Sequence, residues 1–208
     1  MKLVEMTVNT YLDVLKSDAP APGGGSVSAL SGAQGIGLAL MVCDLTLGKE
    51  KYADYQAVCE EAKEKGLSVY NRLVEAIEKD TEAFNLVSAA FKMPKETDEE
   101  KAARKQAIAD GTLVATQVPF ETMEIALEGL KIVETLEGKS NPNASSDLGV
   151  AALNLMSAIR GAWLNVKINL PGVKDEEAAK NFTEKGEAII AEAEKLAAPI
   201  YERVLASL

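Results

Sequence analysis

The chain has 208 residues, of which 47% are hydrophobic and 26% charged, and its formal net charge is −10. This composition is typical of a folded globular protein, and the length suits a single domain, residues 1–208, that buries a real core. The acidic balance argues against nucleic acid or an anionic membrane surface as a partner, because both require clustered Lys and Arg.

The cysteine and histidine content restricts the available chemistry. Cys43 and Cys59 lie sixteen residues apart in segments with helical patterning, and the chain has no histidine. A metal site is therefore not expected, and proton transfer near neutral pH falls to a carboxylate or a lysine. The N-terminal segment carries Glu5 and an amphipathic pattern instead of a signal peptide, so we expect a reduced, cytoplasmic setting.

Apolar residues recur at helical spacing along the whole chain, which predicts an all-α bundle of six or seven helices. The first helix is expected after Thr7, a suitable N-cap, and it ends at the loop PAPGGG, residues 20–25.

The second predicted helix, Ser26 to about Leu47, has an uncharged start that approaches the length of a membrane span. Serines and a glutamine dilute this run, so we interpret it as the buried central helix. Small residues at Ala29, Ala33 and Gly37 would let another helix approach closely.

Caps, glycines and prolines delimit the remaining helices. Thr97 and Glu100 have capping-box spacing, and Gly138 with Pro142 marks a break. The predicted helices run from about Asp54 to Phe91, from Thr97, from a start or kink at Pro119, from Ala144 to Asn169, and from near Asp175.

Asp80 interrupts the apolar stripe of the third helix. Residues at steps of three, four and seven form that stripe, and Asp80 fills its widest gap, between Ile77 and Phe84; the full stripe comprises Gly66, Val69, Leu73, Ile77, Phe84, Val87 and Phe91. Burial would raise the pKa of this carboxyl group, which is the condition for a general acid and base near neutral pH. A structural carboxylate that accepts hydrogen bonds or pairs with a basic side chain is the alternative.

A second group of polar side chains lies on the helix from Ala144. Asp147, Asn154, Asn165 and Asn169 fall nearly on one line, and Arg160 lies on a mainly apolar stripe. Each could satisfy a buried polar neighbour, but together they indicate a polar pocket within the bundle. The line extends roughly 30 Å, so its members cannot all contact one small ligand.

The glycine loop lacks the Gly-Lys-Ser/Thr ending of a nucleotide-binding P-loop and follows no strand. Two interpretations stay open. It is either the simple start of a helix, or a ligand loop in which residues 23–25 let backbone N–H groups receive an oxyanion or a carbonyl oxygen.

Three segments together resemble the formiminotetrahydrofolate cyclodeaminase and methenyltetrahydrofolate cyclohydrolase family: PAPGGGSVSALSGAQG, DTEAFNLVSAAFKMPK and NPNASSDLGVAALNLMSAIRGAWLNVKINL. The likeness covers nearly the whole chain. It implies an all-helical homodimer that binds a reduced folate, uses no metal or further cofactor, and has Asp80 as its acid and base.

On this resemblance we expect a formiminotetrahydrofolate cyclodeaminase, with methenyltetrahydrofolate cyclohydrolase as the alternative. A noncatalytic helical module that binds folate or a protein, with Asp80 and Arg160 as an internal ion pair, is the alternative of another class. Lys95 would attract the acidic tail of the folate, polyglutamylated forms included. The predicted folate-binding residues are Gly23, Gly24, Gly25, Ser26, Lys95, Asn143, Asp147, Arg160 and Asn165.

Overall fold

The computed structural model describes residues 2–208, and within this range six α-helices form a bundle without β-strands. The all-α prediction is confirmed. The helices are α1 Val8–Leu15, α2 Gly24–Asp44, α3 Gln56–Phe91, α4 Asp98–Leu136, α5 Ser145–Asn169 and α6 Glu176–Ser207. Short 3-10 turns occur at Leu3–Glu5, Glu50–Tyr55, Pro142–Ala144 and Leu170–Gly172.

Side-chain caps fix three of the helix starts. The Thr7 hydroxyl accepts a hydrogen bond from the backbone N–H of Thr10, and Thr97 forms a reciprocal capping box with Glu100. The Asp175 carboxylate accepts two backbone N–H bonds at the start of α6. Each cap satisfies N–H groups that the first helical turn leaves without an intrahelical partner, which explains why these boundaries are readable in the sequence.

A helix start or a kink was predicted at Pro119. This residue does not start a helix but lies inside the continuous α4. Proline has no N–H, so the carbonyl of Ala115, four residues earlier, loses its helical donor. The Asn169 side chain of α5 donates to that carbonyl at 2.8 Å. A side chain from a neighbouring helix therefore satisfies the backbone group that the proline leaves free.

The central helix is α2, which packs against α3, α4 and α5. It is the described helix long and apolar enough to span a membrane, and eleven of its residues are buried in the bundle. It approaches α5 closely at Gly35, where an added Cβ would stand 2.8 Å from the carbonyl oxygen of Ala151. The predicted close approach therefore occurs at a residue that was not named for it, and Gly37, which was named, has room for a Cβ beside the Tyr70 ring of α3.

The apolar stripe of α3 leaves the core at Asp80. Leu73 and Ile77 are buried, whereas Phe84 and Phe91 are 42% and 56% exposed. The expectation that the stripe stays buried to Phe91 is therefore wrong. The reason is that α2 begins beside Asp80, so the last turns of α3 project past its end.

Candidate active site

The glycine turn brings the N-terminus of α2 against Asp80 of α3. Gly23 is the N-cap of α2 and offers no side-chain acceptor. Asp80 replaces it from another helix, because its Oδ2 accepts the backbone N–H of Ser26 at 2.8 Å. A Cβ on Gly25 would overlap the Asp80 carboxylate, so this approach requires glycine.

Two opposing influences act on the Asp80 carboxyl group. Burial raises its pKa, and the hydrogen bonds from the Ser26 hydroxyl and backbone N–H act in the other direction. Among residues 2–208 no donor bonds to Oδ1, and this oxygen is not fully enclosed, so it can still accept a hydrogen bond from a ligand. A carboxyl group with raised proton affinity and one open oxygen can take up a proton and return it.

Ser26 is fully buried, with 0% of its surface exposed. Its hydroxyl lies 3.0 Å from Asp80 Oδ2 and 2.9 Å from the carbonyl oxygen of Ile77. This corrects the prediction that Ser26 binds the ligand directly, because a side chain enclosed by α2 and α3 has no surface left for a ligand.

Asn165 of α5 flanks the same helix terminus from the other side. Its amide nitrogen lies 3.3 Å from the position that a Cβ of Gly24 would occupy, and it donates to the carbonyl of Gly161 at 2.9 Å. Gly24 is exposed. The structure therefore brings Asp80, Asn165 and the turn at residues 23–25 together around one end of α2.

Asn143 and Asp147 lie at the opposite end of α5. Asn143 is in the 3-10 turn before the helix, and Asp147 is in its first turn. Asn143 is 22 residues from Asn165, which corresponds to about 33 Å along a helix. Within one chain the rise of α5 keeps both residues away from Asn165, as the length of the polar line predicts, and their binding of folate stays a prediction.

Arg160 points away from this end of α2 and is exposed. Its guanidinium pairs with Glu194 of α6 at 2.8 Å. The alternative ion pair of Arg160 with Asp80 is therefore wrong, whereas the binding of folate by Arg160 stays a prediction. Its neighbour Gly161 is the residue that faces α2, beside Ser28.

Lys95 is exposed in the loop between α3 and α4. From Asp80, α3 continues for eleven residues, or about 16 Å, before this loop begins. That separation suits the far end of an elongated ligand better than its reactive centre. The binding of an acidic tail by Lys95 stays a prediction.

Tyr11 of α1 is a polar neighbour of Asp80 that is not among the residues predicted from the sequence. Only 8% of it is exposed, and its hydroxyl has no hydrogen-bond partner among residues 2–208. Burial, and then the charge of Asp80, raise the pKa of this phenol. The sequence feature that could have identified Tyr11 is a phenol on the face of α1 that packs against the bundle. Its ring also lines a mainly apolar cavity of about 640 Å³ between α1, α2 and α3.

In the part of the chain that the structure describes, no three Cys, Asp or Glu side chains are grouped to hold a metal ion. Cys43 and Cys59 are free and buried, and burial raises the pKa of the Cys43 thiol to about 12. Such a thiol is a poor nucleophile, so the geometry gives Cys43 no chemical role.

Comparisons with known proteins agree on one family. The profile of a family described as formiminotransferase-cyclodeaminase matches residues 7–188. Methenyltetrahydrofolate cyclohydrolase of Methylorubrum extorquens is 41% identical over 198 residues, which are 95% of each chain. Formimidoyltransferase-cyclodeaminase of Sus scrofa is 30% identical over 202 residues, which are 97% of this chain and 37% of the longer protein.

A solved structure extends the likeness to the fold. The crystal structure of formiminotetrahydrofolate cyclodeaminase from Thermotoga maritima matches with a TM-score of 0.82 and 26% identity. The match covers 100% of this chain and 98% of the Thermotoga chain.

Proposed function

The chain belongs to the formiminotransferase-cyclodeaminase family, and we propose that it is a methenyltetrahydrofolate cyclohydrolase with Asp80 as its acid and base. The observation that carries this proposal is the 41% identity to a cyclohydrolase across 95% of both chains. It favours the alternative of the sequence analysis over the expected cyclodeaminase. The open oxygen of Asp80 at the glycine turn supplies the group that the reaction needs.

In the first step, water adds to the methenyl carbon that bridges N5 and N10 of the folate. Asp80 removes a proton from that water as the carbon–oxygen bond forms. The positive charge of the methenyl group is neutralised, and a tetrahedral carbinol results. A carboxylate whose pKa is raised by burial is suited to this step, because its protonated form is not strongly disfavoured.

In the second step, the bond between the carbon and N5 breaks. Asp80 returns its proton to N5, and the carbinol hydroxyl loses a proton to solvent as the formyl carbonyl forms on N10. The product is 10-formyltetrahydrofolate, and the whole reaction consumes one water and releases one proton. One carboxyl group therefore serves both steps.

The N-terminus of α2 is positioned to orient the substrate. The N–H groups of Gly24 and Gly25 lie in the first turn of α2, where N–H groups have no intrahelical acceptor. They can donate to a folate carbonyl or to the oxygen that develops on the tetrahedral carbon. Asn165 beside Gly24 adds an amide to the same surface.

Formiminotetrahydrofolate cyclodeaminase is the second candidate, because the Thermotoga protein of that name has the same fold over nearly its full length. In this reaction N10 attacks the formimino carbon on N5, and ammonia leaves. The same tetrahedral carbon lies between N5 and N10. Asp80 would then take the proton from N10 and give one to the departing amine.

A side-by-side assay with 5,10-methenyltetrahydrofolate and 5-formiminotetrahydrofolate tests the assignment. We expect turnover of the methenyl compound to exceed that of the formimino compound. The variant Asp80→Asn should lose at least about 100-fold in kcat, as expected for removal of a general acid and base, while it still binds tetrahydrofolate in calorimetry.

Turnover by Asp80→Asn within a few-fold of the parent would refute the role of Asp80. Binding of tetrahydrofolate by the parent without turnover of either substrate would favour the noncatalytic module. A parent that prefers the formimino compound would identify the cyclodeaminase.

We propose a homodimer joined through the outer face of α5. Leu164 and Ile168 on this face are 70% and 78% exposed, and Val150 and Leu153 are also exposed. Contiguous exposed apolar side chains are typical of interaction surfaces. The face is also self-complementary: Val150 and Leu164 are each seven residues from Ser157, and Asp147 and Lys167 are each ten residues from it.

An antiparallel pairing of two α5 helices about Ser157 would place Asp147 opposite the partner's Lys167. It would also bring the partner's Asn143 and Asp147 toward Asn165 and the α2 terminus. The residues that one chain holds 33 Å apart would then meet across the dimer. This arrangement accounts for the polar side chains at both ends of α5.

For the remaining properties we propose a cytoplasmic protein that needs no metal and no cofactor beyond its folate substrate. The two free, buried cysteines suit a reducing compartment. The proposed hydrolysis of the methenyl group uses only a carboxyl group and water.

A further inference from the structure

The Ser26 hydroxyl lies among three oxygen atoms in the interior of the bundle. It is 2.9 Å from the carbonyl oxygen of Ile77, 3.0 Å from Asp80 Oδ2 and 3.3 Å from Thr81 Oγ1. All three neighbours belong to α3, and Ser26 itself is fully buried. The hydroxyl is therefore bonded to the helix that carries the proposed acid and base.

The hydroxyl has one proton for these neighbours. A backbone carbonyl only accepts hydrogen bonds, and an ionised carboxylate also only accepts. While Asp80 is ionised, the charge-assisted bond to Oδ2 is the stronger choice. Once Asp80 is neutral, the carbonyl of Ile77 is an equivalent acceptor at nearly the same distance.

Neither orientation leaves a costly unsatisfied group. The carbonyl of Ile77 lies inside α3, where the helical hydrogen bond already occupies one of its lone pairs. The backbone N–H of Ser26 bonds to Oδ2 at 2.8 Å whichever way the hydroxyl turns. The hydroxyl can rotate between its two acceptors with only its own proton moving.

We propose that Ser26 is a positioning residue whose hydroxyl follows the protonation state of Asp80, donating to the carboxylate when it is ionised and to the Ile77 carbonyl when it is neutral. The inference rests on the proposed role of Asp80 as acid and base. The Ser26 hydroxyl stabilises ionised Asp80 by donating to it, and it turns to the Ile77 carbonyl when Asp80 is neutral. Asp80 can therefore take up and release a proton with little rearrangement of the protein.

Other charged or titratable groups around Asp80 have different contacts. Tyr11 of α1 faces it, and its phenol pKa is raised in part by the Asp80 charge. Lys79 of α3 pairs with Glu75 and lines a small cleft with Glu121 of α4.

On α5, Arg160 pairs with Glu194, and the Lys167 ammonium lies over the Trp163 ring. On α2 no charged residue occurs before Asp44.

The test is the pH dependence of kcat/KM for methenyl hydrolysis by Ser26→Ala. Loss of the hydroxyl removes one influence that lowers the pKa of Asp80, so the acid limb of the profile should move to higher pH. We expect about a tenfold loss at pH values below the limb, as for one hydrogen bond to a charged group, and near-parent activity above it. Ser26→Cys, with a weaker donor, should lie between the two.

Ser28→Ala is the matched control. Ser28 is also a buried serine of α2, but its hydroxyl donates to the carbonyl of Gly24 at 2.7 Å within the same helix. The acid limb of the pH profile of Ser28→Ala should coincide with that of the parent. A uniform loss at every pH in Ser26→Ala, without displacement of the limb, would show a merely structural role and overturn the inference.

A stability measurement separates this inference from the proposed function. Because burial raises the pKa of Asp80, the folded parent loses stability relative to Asp80→Asn as pH rises through that pKa. In Ser26→Ala this loss should extend to higher pH. An unshifted loss in Ser26→Ala refutes the inference even without an active enzyme, whereas retained turnover in Asp80→Asn refutes the proposed function instead.

Discussion

At the scale of single residues, the site depends on how closely the backbone of α2 approaches Asp80. Gly25 provides the space, because a side chain there would overlap the carboxylate. Asp80 in turn caps a helix whose own N-cap residue is a glycine. The glycine turn and the catalytic candidate therefore form one unit, in which the helix terminus orients the carboxyl group and leaves its other oxygen open.

The variant Gly25→Ala should displace Asp80 and lower kcat/KM for methenyl hydrolysis by about 100-fold or more, the size of a misplaced general base. The protein should stay folded, with a loss of about 1–3 kcal/mol in the free energy of unfolding from overpacking. Steady-state kinetics and urea unfolding measure the two effects.

Gly37→Ala, in the same helix, is the control, because its added Cβ would meet only the Tyr70 ring at 3.9 Å. It should leave turnover unchanged. If Gly25→Ala also retained parent turnover, the orientation of Asp80 by α2 would have no catalytic value, and the site described above would be contradicted.

Among the helices, α4 and α5 are linked by a side-chain hydrogen bond that replaces a backbone bond missing from α4. Pro119 leaves the Ala115 carbonyl without its helical donor, and Asn169 supplies one from α5. This explains one polar residue of the α5 line in structural terms, without a ligand. It also shows why a proline can lie within a long helix that is not divided there.

A double-mutant cycle on Asn169 and Pro119 tests this coupling. Asn169→Ala should lower the free energy of unfolding by about 1–2 kcal/mol, because a part-buried carbonyl loses its donor. In the Pro119→Ala background the restored backbone N–H satisfies that carbonyl, so Asn169→Ala should cost much less. Urea unfolding gives the free energies of unfolding of the parent, the two single variants and the double variant. If Asn169→Ala lowered this free energy equally in both backgrounds, the coupling would be disproved.

For the molecule as a whole, we propose that the exposed face of α5 pairs two chains and so brings the predicted site residues together. Asp80, Asn165 and the glycine turn lie at one end of α5, and Asn143 and Asp147 lie at the other. Only a second copy in antiparallel orientation would bring the two groups together. The proposed dimer is therefore part of the functional argument.

Cysteine cross-linking tests that arrangement. Ser157 is exposed and would lie on the two-fold axis, so Ser157→Cys should form a covalent dimer with a short bismaleimide. Ser146→Cys is the control, because it is eleven residues from the axis and two copies would stand about 33 Å apart. The native cysteines are buried and should not react.

Light scattering on the parent supplies the reference state. A monomeric parent, or equal cross-linking of Ser157→Cys and Ser146→Cys, would refute this dimer. Cross-linking of Ser146→Cys alone would indicate an antiparallel pairing with its two-fold axis near residue 146 instead.

Features that depend on the local spacing of residues could be predicted from the amino-acid sequence. Helical periodicity predicted the all-α bundle, side-chain caps predicted the starts of α1 and α4, and the misfit of Asp80 on an apolar stripe predicted that burial raises the pKa of its carboxyl group. These properties are readable because a helix repeats every 3.6 residues and its first turn needs local acceptors.

Which residues from different helices meet became clear from the packing of the helices. It placed Asn165 beside the glycine turn, turned Arg160 toward Glu194, and enclosed Ser26 between two helices. Spacing along one helix does not reveal where a neighbouring helix begins, and α2 begins at Asp80. For that reason the stripe of α3 emerges from the core at Phe84, and the carboxyl group at its edge keeps one oxygen free for chemistry.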